Sequence, residues 1–229
     1  MRDFAPAAIT AEPATIEPGR GVYDADRAAA LAGVPRSTLH YWARKGIYRP
    51  SIAPGPRVRL WSWGDLLALR AIDWFRRVKG AEAPLKVSMG RIRQALEQLD
   101  EQGIPRGRLH EVLVVSHGGD LFLELPGWPL VHAAPDRQAA MTEVLQPVRP
   151  YHGAPDLLEP RPRLRILPGK LHGEPHLVGT RITSAAVYAL HSAGYSRAQI
   201  HAMYPEVAFE ALDQAVDLEE SLQARARAA

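Results

Sequence analysis

Residues 24–47 read DADRAAALAGVPRSTLHYWARKGI, and the order of residue types in this stretch decides the fold. Asp24 is a short acceptor placed to cap the alanine-rich run Ala25–Ala32 as a helix. Gly33 supplies the left-handed conformation that ends it, and Val34 follows as an apolar plug. Pro35 stands where a missing N–H costs least, at the start of a second helix over Arg36–Lys45. That helix turns Leu39 and Trp42 or Ala43 inward and leaves Arg36, Ser37, His40, Tyr41 and Arg44 on the outer side. Two helices joined by so short a turn have the spacing of a helix-turn-helix, whose second helix enters the major groove of DNA. Cations and small hydroxyls on its outer face are what base edges and phosphates ask for. The residues expected to face DNA are Arg36, Ser37, Thr38, His40, Tyr41, Arg44 and Lys45.

Outward from this core, Tyr48–Trp61 carries the turn Ala53-Pro54-Gly55-Pro56 between two short extended stretches. Its far strand alternates, so Arg57 and Arg59 are expected on one face and Val58 and Leu60 on the other, a small cationic wing that adds Arg57 and Arg59 to the DNA-facing set. Ser62 then caps a helix, with Asp65 at the capping-box position and Leu66, Leu69, Ile72 and Phe75 as an apolar stripe. Trp42, Trp61, Trp63 and Trp74 read as core, and Tyr41 as the aromatic that touches the DNA backbone.

Charge follows the same division. The net charge of +3 conceals 18 Lys+Arg against 11 Asp+Glu in residues 1–110 and 10 against 14 in residues 111–229. Within residues 20–80 the count is 12 basic to 4 acidic, so the cationic excess coincides with the helix-turn-helix and its wing.

The stretch Val22–Arg77 resembles the winged helix-turn-helix of MerR-type transcription regulators. The resemblance rests on Val34-Pro35-Arg36-Ser37-Thr38-Leu39, Tyr41-Trp42, Lys45-Gly46-Ile47, Arg57-Val58-Arg59-Leu60-Trp61 and Asp65-Leu66. It implies sequence-specific binding of a double-stranded DNA operator. The chain has no cysteine, so it departs from the metal-sensing members.

A second constellation spans Leu164–Leu222. Arg165-Ile166-Leu167 reads as a short strand, and Gly173, Pro175 and Gly179 punctuate a tight hairpin. Thr183 or Ser184 caps a helix Ala185–Ala193 ended by Gly194, and Ser196 caps Arg197–Met203. Tyr204-Pro205 breaks the chain before a last helix from about Val207, with Phe209, Leu212, Val216 and Leu222 on one side. The run Gly173-Glu174-Pro175, Gly179-Thr180-Arg181-Ile182, Ala193-Gly194-Tyr195-Ser196, Ile200 and Tyr204-Pro205 resembles the small domain of VapB-like antitoxins, found beside PIN-type ribonuclease toxins. The resemblance implies an antitoxin that neutralises such a ribonuclease and represses its own operon; the alternative is a stand-alone MerR-type regulator with a ligand-sensing C-terminal region. The acidic residues Glu206, Glu210, Asp213, Asp217, Glu219 and Glu220 repel DNA and favour protein–protein contact here. Arg225 and Arg227 are the candidate toxin-binding residues, as cations able to enter a carboxylate cluster, and the hairpin Leu109–Leu125 is the other candidate surface.

The expected architecture is mainly α with small β elements: a flexible arm 1–20, the winged domain 21–103, a β-hairpin and Pro-rich connector 104–162, and an antitoxin-type helical domain 163–229. Eight of the 20 prolines fall in 126–162, where a short helix is expected from Asp136 to Leu145. A homodimer or a higher hetero-oligomer with the toxin is expected, the dimer contact coming from the stripe Met89, Ile92, Leu96 and Leu99 or from the C-terminal domain, because one winged domain covers little DNA. His172 and His176 are separated by Gly173 and Pro175, which forbid the helix that would align them, so no metal and no cofactor are expected. Asp213, Asp217 and Glu220 share a helical face, read as solvated rather than as a nuclease centre, and no nucleophile or phosphate-loop motif points to an enzyme. No signal peptide and no long apolar run are visible, so a cytoplasmic location is expected.

Overall fold

The computed structural model describes residues 21–55, 57–76, 87–109, 113–116, 121–123, 131–132, 141–143, 149–151 and 153–228. The expected arm 1–20 lies outside them. The described elements run α1 (Ala25–Ala32), α2 (Arg36–Arg44), α3 (Trp63–Arg76) and α4 (Met89–Glu101), then β1 (Leu113–Ser116), β2 (Leu121–Leu123), β3 (Val131–His132) and β4 (Met141–Glu143). The C-terminal part follows as β5 (Leu164–Arg165), β6 (His176–Leu177), α5 (Ser184–Ser192), α6 (Arg197–Met203) and α7 (Phe209–Ala228). The fold is mainly α with small β elements.

The central strands form one antiparallel sheet in the order β3-β2-β1-β4. Leu113 pairs with Leu123 and Val115 with Leu121, so the expected hairpin is present, its turn lying outside the described residues. One expectation fails here. Met141–Glu143, expected within the helix Asp136 to Leu145, is a strand paired to the free edge of β1. An isolated helix that short is marginal in water, and an open strand edge offers its backbone immediate partners.

The core is continuous from Tyr23 to Leu222 and spans both ends of the chain. α7 packs on α1 as well as on α5. Trp42, Trp61 and Trp63 are buried, with Trp74 partly so. Ile92, Leu96 and Leu99 on α4 are also fully buried, and Met89 packs against them. That stripe is therefore spent inside the chain and leaves no face for a second copy, which corrects the first of the two dimer surfaces expected. Amphipathic periodicity marks a buried face without saying whose core buries it.

Arg70 of α3 joins the connector to this core. Its guanidinium donates to the carbonyls of Leu31 at 2.5 Å, Arg149 at 2.7 Å and Pro155 at 2.7 Å. Leu31 lies in the last turn of α1, where carbonyls lack intrahelical partners and the helix end is negative. Burial pushes this guanidinium down to about 9 against the pull of Asp156, and it remains charged at neutral pH.

Candidate nucleic-acid interface

The local grammar of the helix-turn-helix is realised atom by atom. The Asp24 carboxylate accepts from the Arg27 N–H at 2.7 Å, and Gly33 ends α1 at φ 73° with its N–H on Ala29 O. Pro35 is the N-cap of α2 at ψ 137°, outside the helix, where its missing N–H removes no helical hydrogen bond. Leu39, Trp42 and Ala43 are buried, while Arg36, Ser37, Tyr41, Arg44 and Lys45 are exposed and Thr38 and His40 are half-buried. Tyr41, 47% exposed beside the buried Trp42, presents a large ring to solvent.

The wing is anchored more tightly than it is paired. Leu60 and Ala53 exchange backbone hydrogen bonds at 3.1 and 3.2 Å, and Trp61 and Tyr23 do so at 2.9 Å in both directions. Pro54 has no N–H with which to extend the ladder, and residues 57–59 are not in strand. The expected alternation therefore fails: Val58 is 58% exposed, beside the exposed Arg57. Arg59 is half-buried, its Nη1 2.9 Å from His40 Nδ1 on α2.

His40 thus sits between two arginines, because Arg36 Nε donates to its Nε2 at 3.3 Å. Burial, then the charges of Arg36, Arg59 and Arg44, hold its pKa below the ordinary 6.5, with Asp26 pulling the other way. A neutral ring has one acceptor nitrogen, so it accepts from one of the two arginines at a time, and a protonated ring accepts from neither. Arg36 also pairs with Asp26 at 3.0 Å, both side chains being more than half exposed. The contact gives the recognition-helix cation a preferred direction and little stability.

The base of the wing is fixed by one carboxylate. Asp65, 1% exposed, accepts from the N–H of Ser62 at 2.7 Å, the hydroxyl of Tyr48 at 2.9 Å, and the N–H and hydroxyl of Ser51 at 2.9 and 2.8 Å. Its own N–H returns to the Ser62 hydroxyl at 3.1 Å, completing the capping box. Burial, then the Asp65 charge and hydrogen bond, push the Tyr48 hydroxyl well above its usual range, so it stays a donor.

The structure thus gathers Arg36, Ser37, Thr38, His40, Tyr41 and Arg44 on α2 with Lys45 as its C-cap, joins Arg59 to them through His40, and leaves Arg57 outside on the wing. Sequence reasoning missed Arg49, an exposed cation just past α2 beside Gly46. It also missed how the domain is held. The Tyr23 hydroxyl donates to Gly173 O at 2.9 Å, Val22 N–H to His172 O at 2.9 Å, and the Arg27 guanidinium to Glu174 and Glu219. The spacing between these partners leaves no local signal.

The two candidate toxin-binding residues separate. Arg225 is half-buried, and a Cβ added to Gly153 would meet its Nη1 at 2.5 Å while one on Gly33 would meet its Nη2 at 3.4 Å. Arg225 therefore lies against the helix-turn-helix and connector and not at a free tip. Arg227 is exposed. On the same helix, Leu212 and Leu222 are buried as expected and Val216 partly so, but Phe209 is 39% exposed, its ring 4.2 Å from that of His201. Asp213 and Asp217 pair with Arg197 at 2.9 Å and Arg161 at 2.6 Å. His176 is buried with Nδ1 3.1 Å from Glu174 O, whereas His172 is exposed. Among the described residues no three His, Asp or Glu side chains are grouped to hold a metal ion, and no helix is long and apolar enough to cross a membrane.

Residues 23–99 match the family model described as MerR HTH family regulatory protein, and residues 165–217 match the model described as Protein of unknown function (DUF433). No curated protein matches the chain. The X-ray crystal structure of Rv2018 from Mycobacterium tuberculosis is similar over 85% of this chain and 96% of that one, at 18% identity and a TM-score of 0.45. The chain thus carries a MerR-family helix-turn-helix domain at its N-terminal end and a DUF433 domain at its C-terminal end.

Proposed function

We propose that the chain is a transcription regulator that binds a double-stranded DNA operator through α2 and the wing, and acts as the antitoxin and autorepressor of a toxin–antitoxin pair. The observation that carries the DNA half is the division of α2, with Leu39 and Trp42 buried and Arg36, Ser37, Tyr41 and Arg44 exposed. Exposed cations with a hydroxyl on a helix rigidly seated by its other face suit a major groove. In this reading Arg36, Ser37 and His40 approach base edges, and Thr38, Tyr41, Arg44, Lys45 and Arg57 approach phosphates. Two copies bind an inverted repeat, with the contact supplied by the C-terminal domain.

The antitoxin half rests on the resemblance of Leu164–Leu222 to VapB-like antitoxins, and its partner would be a PIN-type ribonuclease. The protein acts by occupancy and not by catalysis. Coexpression with the ribonuclease encoded beside it tests both halves at once. The full chain should restore growth and footprint its own promoter, and Arg36→Ala should lose the footprint while still restoring growth. A chain that footprints the promoter but has no adjacent ribonuclease to neutralise is a regulator alone.

A further inference from the structure

α5, α6 and α7 enclose a groove of about 310 Å³. Its floor is apolar, formed by Val187, Ile200 and Leu212, each no more than 2% exposed. The volume lies at the low end for ligand pockets, about 300 Å³, which suits one or two side chains better than a cofactor. The surface around it is unusually open: every residue from His191 to Gln199 is exposed, and Tyr195, Met203 and Phe209 are 40%, 47% and 39% exposed. Of these three, Tyr195 lines the groove itself, and a large apolar ring exposed beside an apolar floor is what a contact site offers.

Charge identifies what would cover it. The acidic residues on the rim are Asp213, Asp217 and Glu220. Arg197 and Arg161 engage the first two, at 2.9 and 2.6 Å. Glu220 is exposed and forms no ion pair or hydrogen bond among the described residues. Its neighbours three and four residues away on α7 are Val216, Asp217, Gln223 and Ala224, so no cation of that helix stands beside it.

We propose that this groove docks a basic, apolar segment of a partner protein, with a large apolar side chain set on Val187 and Leu212 and an adjacent lysine or arginine on Glu220. The apolar contact supplies the affinity, and the charge selects the partner and its register. The identification of that partner with the ribonuclease rests on the function proposed above; the chemistry of the groove does not.

The test has two arms that fail separately. In the first, the full chain is titrated with the peptide acetyl-Lys-Trp-Leu-Arg-amide and with acetyl-Gln-Trp-Leu-Gln-amide while backbone amides are followed by NMR. The basic peptide should move the resonances of Tyr195, Val216 and Glu220, and Glu220→Lys should weaken it about tenfold, as the neutral peptide is weakened. Shifts elsewhere, or equal binding by the neutral peptide or by Glu220→Lys, overturn the proposal. In the second arm, Glu220→Lys and Tyr195→Ala are coexpressed with the adjacent ribonuclease. Lost neutralisation with an intact promoter footprint supports the groove. Neutralisation equal to that of the unaltered chain overturns the groove and leaves the antitoxin reading standing. A chain that neutralises no ribonuclease at all sinks that reading and leaves the peptide result to decide the groove.

Discussion

Arg27, on the first helix of the DNA-binding domain, pairs with Glu219, on the last helix of the chain, at 2.6 Å, with side chains only 15% and 5% exposed. Glu174 closes the same guanidinium from another side at 2.7 Å, and Ser184 at the start of α5 donates its hydroxyl to Glu219. Burial pushes the Arg27 guanidinium down, and the hydrogen bonds and charges of Glu219 and Glu174 more than reverse this, leaving it above its ordinary value. One cation thereby ties the helix-turn-helix to both the Gly173-Glu174-Pro175 loop and α7. Removing Arg27 would leave Glu219 buried without a cation, and stranding a buried charge costs about 3–5 kcal/mol. Arg27→Ala should lower stability by that order in urea unfolding. It should also expose the α1–α7 boundary to limited proteolysis, and unchanged cleavage would show that other contacts hold the domains together.

Gly173 and Gly179 offer a matched pair of substitutions. Both have left-handed backbone, at φ +81° and +78°. A Cβ on Gly179 meets nothing within 4 Å, whereas one on Gly173 overlaps the Tyr23 hydroxyl. Gly179→Ala should cost only the backbone strain, about 1–3 kcal/mol. Gly173→Ala should cost clearly more, because Tyr23 must leave its hydrogen bond to Gly173 O. Equal losses in thermal unfolding would mean that the Tyr23 contact contributes nothing.

On DNA, the three arginines should behave in three ways. Arg36→Ala should weaken operator binding by about 1–3 kcal/mol and relax sequence preference. Arg57→Ala, on the exposed wing, should weaken all sequences evenly and reduce the salt slope by about 1. Arg59→Ala should act through His40 instead, loosening the wing relative to α2 and changing sequence preference more than salt slope. Binding measured at several salt concentrations on operator and scrambled DNA separates the three, and identical profiles for Arg57→Ala and Arg59→Ala would refute the role given to His40.

Stability should fall on mild acidification. Burial and neighbouring arginines hold His40 below its ordinary 6.5, and burial, with Lys170, holds His176 below it against the Glu174 carbonyl. Above 6.5 both rings are neutral folded and unfolded, so neither contributes a pH slope. As the pH drops below that value the unfolded chain binds protons first, and stability declines until the folded values are passed. Unfolding midpoints measured from about pH 7.5 to 5 should drop, and His40→Gln should make the drop shallower. A slope unaffected by His40→Gln would assign the effect elsewhere.

The chain's local order is legible in its sequence. Asp24, Gly33, Thr183 and Ser196 each begin or end a helix as expected. A cap acts on N–H groups two or three residues away, and helical periodicity shows in a single turn. The outward set on α2 followed for the same reason. The misplacements share an opposite cause. Arg27 meets Glu219 across 192 residues, and Arg70 reaches Pro155 across 85. Arg59 turns to His40 instead of solvent, Arg225 packs beside Gly33 and Gly153, the α4 stripe enters this chain's own core, and Met141–Glu143 joins a strand edge. Each of these depends on which distant surface happens to be adjacent. Hydrophobic pattern and charge leave that choice open, and close packing around particular side chains settles it.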